Sequence, residues 1–414
     1  MMIKTQLCSA AIAAVLAISM VGGAGANEAG CVTSYDASKD YFPDKVEVKH
    51  GAGFSITYTG NTKRIRNDVS GETYVLYQCG TPAPADIATK AGSLQVGNWT
   101  KVASVPPKKI ALDSAPASAI VEMLGVQSTV AASYKFFTVT SPCMQKQLAE
   151  LPRVAQSFSR KRGLVRRVSY DVADAGAEWT FTTYGMSDPQ SFALNPDGAR
   201  DMLGKAEWIK FVAAFFNKEA EANKIFADIE SRYTAARDKL ASRAKKTVGF
   251  ARYNKVANGT VVSWTIDQPQ AWVVQGMADA GLSAHSGATT AFNNIDAFYA
   301  ATADWDVLID GSIEPLSHGG ATIPLWQNLR DGYKFGDGAK KLPYVAANAI
   351  YRSDLISSPQ NATDYNEHLQ IQVDALLEDF AKLASDSGAT DTTWYRNLPH
   401  QVQVDWRSPS DCKN

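Results

Sequence analysis

The chain has 414 residues, of which 45% are hydrophobic and 20% charged, with a formal net charge of -1. That is ordinary globular composition in a chain too long for one core, so two domains are expected. The balanced charge excludes a phosphate-binding surface for nucleic acid and a polybasic anchor for anionic lipid.

Lys4 precedes an apolar run, Ala10 to Ile18, that is too short to span a bilayer, and Ala24-Gly25-Ala26 is a small-x-small cleavage site. Residues 1–26 therefore read as a signal peptide, with a mature chain starting at Asn27 and exported to the cell surface, the medium or the periplasm. Gly30-Cys31 resembles a lipoprotein site, but Glu28 stands where that signal should be apolar. Cleavage removes Cys8 and leaves Cys31, Cys79, Cys143 and Cys412, an even count that predicts two disulfides with three possible connectivities. No C-x-x-C pair supports zinc or redox chemistry. The sequons at Asn98, Asn258 and Asn361 allow the exported chain to be a glycoprotein.

Strand patterns occur at Lys45 to Val48, Phe54 to Tyr58 and Thr73 to Tyr77, punctuated by Gly51, Gly53, Gly60 and Asn61, which predicts an N-terminal β meander. From Lys109 the pattern becomes strand-then-helix: strand Ile110 to Leu112, a helix over Ala119 to Leu124 ended by Gly125, strand Val126 to Ala132, and a loop holding Tyr134, Phe136 and Phe137. Such alternation predicts a parallel sheet. Between Ala199 and Lys246, apolar residues at Trp208, Val212, Phe215, Ala222, Phe226, Ile229, Tyr233, Ala236 and Leu240 follow helical spacing. Asn217 is the expected N-cap of a second helix running from Lys218 to Arg243, roughly 40 Å long. Strand-helix units then resume with strand Thr247 to Tyr253, helix Pro269 to Ala280, strand Trp305 to Asp310 and a final helix Asp364 to Ser385. The fold class is therefore α/β, with two Rossmann-like lobes joined by a long bridging helix. The expected boundaries are 27–204 for the N-terminal lobe, 205–246 for the bridging segment and 247–414 for the C-terminal lobe.

Five blocks in this order carry a resemblance: Lys108 to Pro116, Glu122 to Val126, Gly204 to Phe211 with Phe216 to Glu221, Met277 to Gly281, and Ala303 to Ile309. Over about Lys45 to Leu383 the chain resembles class III solute-binding proteins of ABC importers, the group that binds vitamin B12 and iron chelates. The resemblance implies one helix joining two lobes, a ligand between the carboxyl ends of their strands, and delivery to a membrane transporter or receptor by a monomeric protein. Bacterial members dock through acidic residues, whereas Gln270 to Ala280 holds only Asp279; that departure points toward algal cobalamin-acquisition proteins.

Loops after strands should face the ligand. They hold Tyr134, Phe136, Phe137, Thr182, Thr183, Tyr184 and Gly185 in the first lobe and Arg252, Tyr253, Trp264, Asp310 and His318 in the second. Aromatic faces suit a corrin ring, while anionic chelates need clustered cations, so cobalamin is the expected ligand and a ferric siderophore or haem the alternative. His50, His285, His368 and His400 are scattered without ligand spacing, and no metal or cofactor beyond the ligand is expected. G-x-S-x-G, H-E-x-x-H, P-loop and dinucleotide patterns are absent, so no enzyme activity is expected. Two other classes stay open: a secreted hydrolase with a spatially assembled Ser/His/Asp site, and an adhesion protein on the same fold.

Overall fold

The structure, a computed structural model, describes residues 26–84, 100–134, 136–151, 156–159, 167–170, 176–183, 190–240, 245–256, 259–312, 326–385 and 388–413. Residues 1–25 of the expected signal peptide 1–26, with Tyr184, Gly185, His318, Asn98 and Asn258, lie outside them.

Three main sheets are present. The first is the N-terminal meander: Phe54–Thr59, Thr62–Asn67 and Thr73–Gln78 run antiparallel, and Thr100–Val105 adds in parallel. Lys45 to Val48, expected as a strand, is irregular; its backbone is taken up by side chains, Val46 N–H donating to Tyr58 Oη at 3.2 Å and Glu47 O accepting from Lys210 Nζ at 2.8 Å. Thr62–Asn67 escaped the sequence reading because its three basic or polar alternations hide a strand with Lys63 facing inward. The second sheet is all parallel, in the order Ser191–Ala193, Trp179–Thr182, Ile110–Asp113, Val130–Ser133. The third is mixed and built on Lys246–Lys255, which pairs in parallel with Leu282–Ala284 and Val307–Asp310 and antiparallel with Val261–Asp267. Ile350–Arg352 and Arg396–Asn397 extend it beyond Val307–Asp310. The second and third sheets are separate, as two α/β lobes require.

The chain crosses between them through Met202–Ala206, the fully buried helix Trp208–Phe216, and the helix Glu219–Leu240. Trp208–Phe216 is buried all round because it sits between layers: Phe211 and Phe215 meet Tyr74 of the meander, and Phe215 meets Phe181 and Phe192 of the parallel sheet, centroids 4.9–6.0 Å apart. Glu219–Leu240 has 22 residues, about 33 Å of helix. Its buried stripe is Ala222, Phe226, Ile229, Tyr233 and Leu240, the face expected from the spacing, and it packs on Val373–Ser385 of the second lobe.

Asn217 does not cap that helix. It has φ 56° and closes the preceding one in the left-handed conformation that asparagine tolerates. Its side chain is committed to the meander instead, donating to Gln78 Oε1 at 2.8 Å and accepting from Lys63. The expected final helix is two, Asp364–His368 and Val373–Ser385, with a turn between that buries Leu369 and Ile371.

Both disulfides form. Cys31–Cys79 pins the N-terminal segment to the meander, where a Cβ on Gly80 (φ +85°) would fall 2.0 Å from Val32 O. Cys143–Cys412 joins the helix Pro142–Glu150 of the first lobe to the end of the chain. Among the described residues no helix is long and apolar enough to cross a membrane.

Candidate functional site

In open parallel sheets, ligands sit outside the carboxyl ends of the strands. In the first lobe these ends are Asp113, Ser133, Thr182 and Ala193, all buried and all but the edge-strand alanine polar. Thr183 Oγ1 donates to Asp113 O at 3.2 Å, and Asn195 Nδ2 donates to Thr183 O at 2.5 Å, which fixes the edge of the sheet. In the second lobe the corresponding ends are Asp310 and Arg352.

Those two residues start a buried charge chain that the sequence did not disclose. Asp310 accepts from Tyr333 Oη at 2.7 Å, from Ser312 Oγ at 2.6 Å and from Arg352 Nη1. Arg352 Nε donates to Asp354 Oδ2 at 2.9 Å, and Arg396 grips Asp354 in bidentate fashion at 2.7 and 2.8 Å. Two carboxylates and two guanidiniums thus cancel on a rigid floor, which satisfies the demand that buried charges be paired. Burial pushes the Asp354 carboxyl up, but the Arg396 hydrogen bonds and the two guanidinium charges outweigh it and hold the carboxyl below its usual 3.8. A carboxyl depressed in the folded state adds stability above its unfolded pKa and loses it as pH falls through the folded value. Equilibrium unfolding followed by circular dichroism should therefore show stability falling below about pH 4, with a flatter slope in Asp354→Asn. An unchanged slope in the variant would contradict this role.

The sequence-predicted residues separate into packed and accessible sets. Trp264 was expected in a loop; it lies in the strand Val261–Asp267, 2% exposed, with Nε1 donating to Gly332 O at 2.9 Å. Tyr253 is its partner in register and shares its face, with its ring against Gly332 and edge-on to Tyr333. Tyr134 is 6% exposed among Ala111, Ala131, Ala132 and Ala177. Arg252 points to the other face of its strand, is paired with Asp267, and stays partly exposed. Phe136 and Phe137 lie in a 3-10 turn right after Val130–Ser133, and Phe137 is 47% exposed. Asn361 is exposed in a turn at φ 65°.

The loops that follow the carboxyl ends meet. Thr140, after Val130–Ser133 in the first lobe, donates through its N–H and Oγ1 to Glu367 Oε2, both at 2.6 Å, and Glu367 lies on the helix that follows the second lobe's Ile350–Arg352. The helices Ala115–Met123 and Asp364–His368 pack together at this junction.

No family model and no curated protein sequence matches the chain. Among solved structures it is similar to an ABC transporter substrate-binding protein from Listeria monocytogenes, at 15% identity and TM-score 0.44, covering 67% of this chain and 98% of that one. It is similar to a periplasmic heme-binding protein from Pseudomonas aeruginosa, at 14% identity and TM-score 0.43, covering 70% and 98%. The periplasmic vitamin B12-binding protein of Vibrio cholerae is similar at 10% identity and TM-score 0.43, covering 68% and 97%.

Proposed function

We propose that this chain is an exported solute-binding protein that captures a bulky, weakly charged ligand between its two lobes and passes it to a membrane transporter or receptor without chemical change. The observation that supports it most is the meeting of the carboxyl-end loops of two separate sheets, Thr140 on one side and the helix Asp364–His368 on the other. Ligands of open α/β sheets bind outside the carboxyl ends of the strands, so strand ends of two lobes that converge on one junction suit a clamp for a small molecule. The class III resemblance of the sequence supports the same reading and supplies cobalamin as the first candidate.

Charge bears on the choice of ligand. Arg352 and Arg396 stand at the edge of the third sheet but are neutralised by Asp310 and Asp354, and Arg252 is paired with Asp267. The two buried arginines, already committed to buried carboxylates, offer little to an anionic chelate. A ferric siderophore or haem is the second reading, because Arg252 is partly exposed and could turn from Asp267 toward an anion.

Calorimetry against cyanocobalamin, ferrichrome, ferric citrate and haem in parallel tests this. One-to-one binding of cyanocobalamin is expected, with Phe137→Ala weakening it roughly tenfold, as for the loss of one accessible aromatic contact. Binding of an iron chelate alone, abolished by Arg252→Ala, would replace cobalamin by the second reading. Recovery of a chemically altered ligand would move the chain to the enzymes.

A further inference from the structure

The helix Asp364–His368 carries Asp364, Glu367 and His368 at positions i, i+3 and i+4, which share one helical face. One donor atom from each lies within 4.8 Å of the other two. Neighbouring donors orient both carboxylates. Trp394 Nε1 donates to Asp364 Oδ2 at 2.7 Å, and Thr140 N–H and Oγ1 hold Glu367 Oε2 at 2.6 Å each. Thr140 Oγ1 also lies 2.8 Å from Asp364 Oδ1.

The remaining oxygen of Glu367 is the decisive one. Glu367 is 0% exposed, and its Oε1 has no hydrogen-bond partner. A buried carboxylate oxygen with no donor pays a desolvation penalty that nothing returns. His368 Nδ1 is 3.0 Å from Asp364 Oδ1, close enough for an ion pair but without hydrogen-bond alignment. Glu122, on the helix packed against this one, adds negative charge within electrostatic reach of His368.

We propose that Asp364, Glu367 and His368 form a binding site for a divalent transition-metal ion at the junction of the two lobes, with zinc the best match. One imidazole nitrogen and two carboxylate oxygens make a three-ligand borderline set that leaves one position open, a composition zinc accepts readily. Trp394 and Thr140 act as the outer partners that orient such ligands. Because Thr140 belongs to the first lobe and the three ligands to the second, the ion would consolidate the contact between them. The sequence signal is the run Asp364-x-x-Glu367-His368, which is missed when histidines are compared only with one another.

The test is equilibrium dialysis of untagged, disulfide-intact protein against zinc after chelator treatment. One zinc per chain is expected, at least tenfold weaker in Glu367→Gln and in His368→Asn, each checked for native near-ultraviolet circular dichroism. Cobalt(II) should give the visible absorption of a four- or five-coordinate site in the wild type and lose it in both variants. Substoichiometric zinc, or equal binding in wild type and both variants, would overturn the proposal and leave an Asp364–His368 ion pair only.

Discussion

Lys63→Met should lower the stability of the protein by about 3–5 kcal/mol, the cost of breaking a buried pair from one side. Lys63 and Glu219 are both 0% exposed, 156 residues apart, and join the meander to the start of the long helix. All three ammonium hydrogens of Lys63 are used: on Glu219 Oε1 at 2.5 Å, on Ala214 O at 2.7 Å and on Asn217 Oδ1 at 2.8 Å. Burial pulls the Lys63 ammonium down to about 8, against the opposing pull of Glu219, so the site holds its charge at neutral pH under some protest from its surroundings. Methionine fills the same channel but removes the cation opposite Glu219, which keeps the Asn27 amide 2.8 Å from Oε2 and the neighbouring Tyr58 hydroxyl, and it leaves the Ala214 carbonyl near the end of Trp208–Phe216 without its lysine donor. The partner variant Glu219→Leu on the Lys63→Met background should recover most of the loss, because replacing both members of a buried pair by apolar groups is nearly neutral. Guanidinium unfolding of the two single variants and the double variant measures the coupling. Additive losses would mean that the pair is not what joins these elements.

Opening Cys143–Cys412 by the double substitution Cys143→Ser/Cys412→Ser should cost about 5–6 kcal/mol in the chain-entropy account of cross-links. The closed segment is long, 269 residues against 48 for Cys31–Cys79. By loop length alone the longer cross-link should contribute about 1.5 kcal/mol more. The tail it fastens has weaker ties of its own: Gln145 Nε2 donates to Arg407 O at 3.0 Å, and Ile356–Ser357 pairs with Asp405–Trp406. Those contacts should hold the tail in place in the variant while the junction loosens. Hydrogen exchange should then quicken at Thr140 to Gln145 and at Asp364 to His368, with the meander unchanged. Uniform exchange across the chain, or a loss below about 1 kcal/mol, would show that the cross-link restrains little that packing does not already restrain.

How much of this was legible in the sequence depends on the range of the signal. The helical face of Glu219–Leu240 was readable because Phe226, Ile229 and Tyr233 repeat at a spacing fixed by the backbone itself. Strands beginning near Phe54, Thr73, Ile110 and Thr247 were readable for the same reason, as was the pairing of four cysteines from their even number. Short strands were not. Ile350–Arg352 and Arg396–Asn397 have three and two residues, too few to show a period, yet they carry Arg352 and Arg396 into the buried charge chain.

Other outcomes belonged to tertiary structure alone. Trp264 sits in polar-looking sequence, but its strand register places it opposite Tyr253 and over Gly332, so the ring is packed and the indole N–H satisfied. Asn217 has the residue type of an N-cap, but a left-handed turn and a buried lysine from the meander claim it as the end of the helix before. The choice among three disulfide connectivities, the partner of Lys63 and the chain Asp310–Arg352–Asp354–Arg396 each join residues far apart along the sequence. Local periodicity records which face of an element is apolar, because burial is decided residue by residue. Which polar group meets which is decided only when the elements pack, since a buried charge accepts whatever partner the completed fold brings within hydrogen-bond reach.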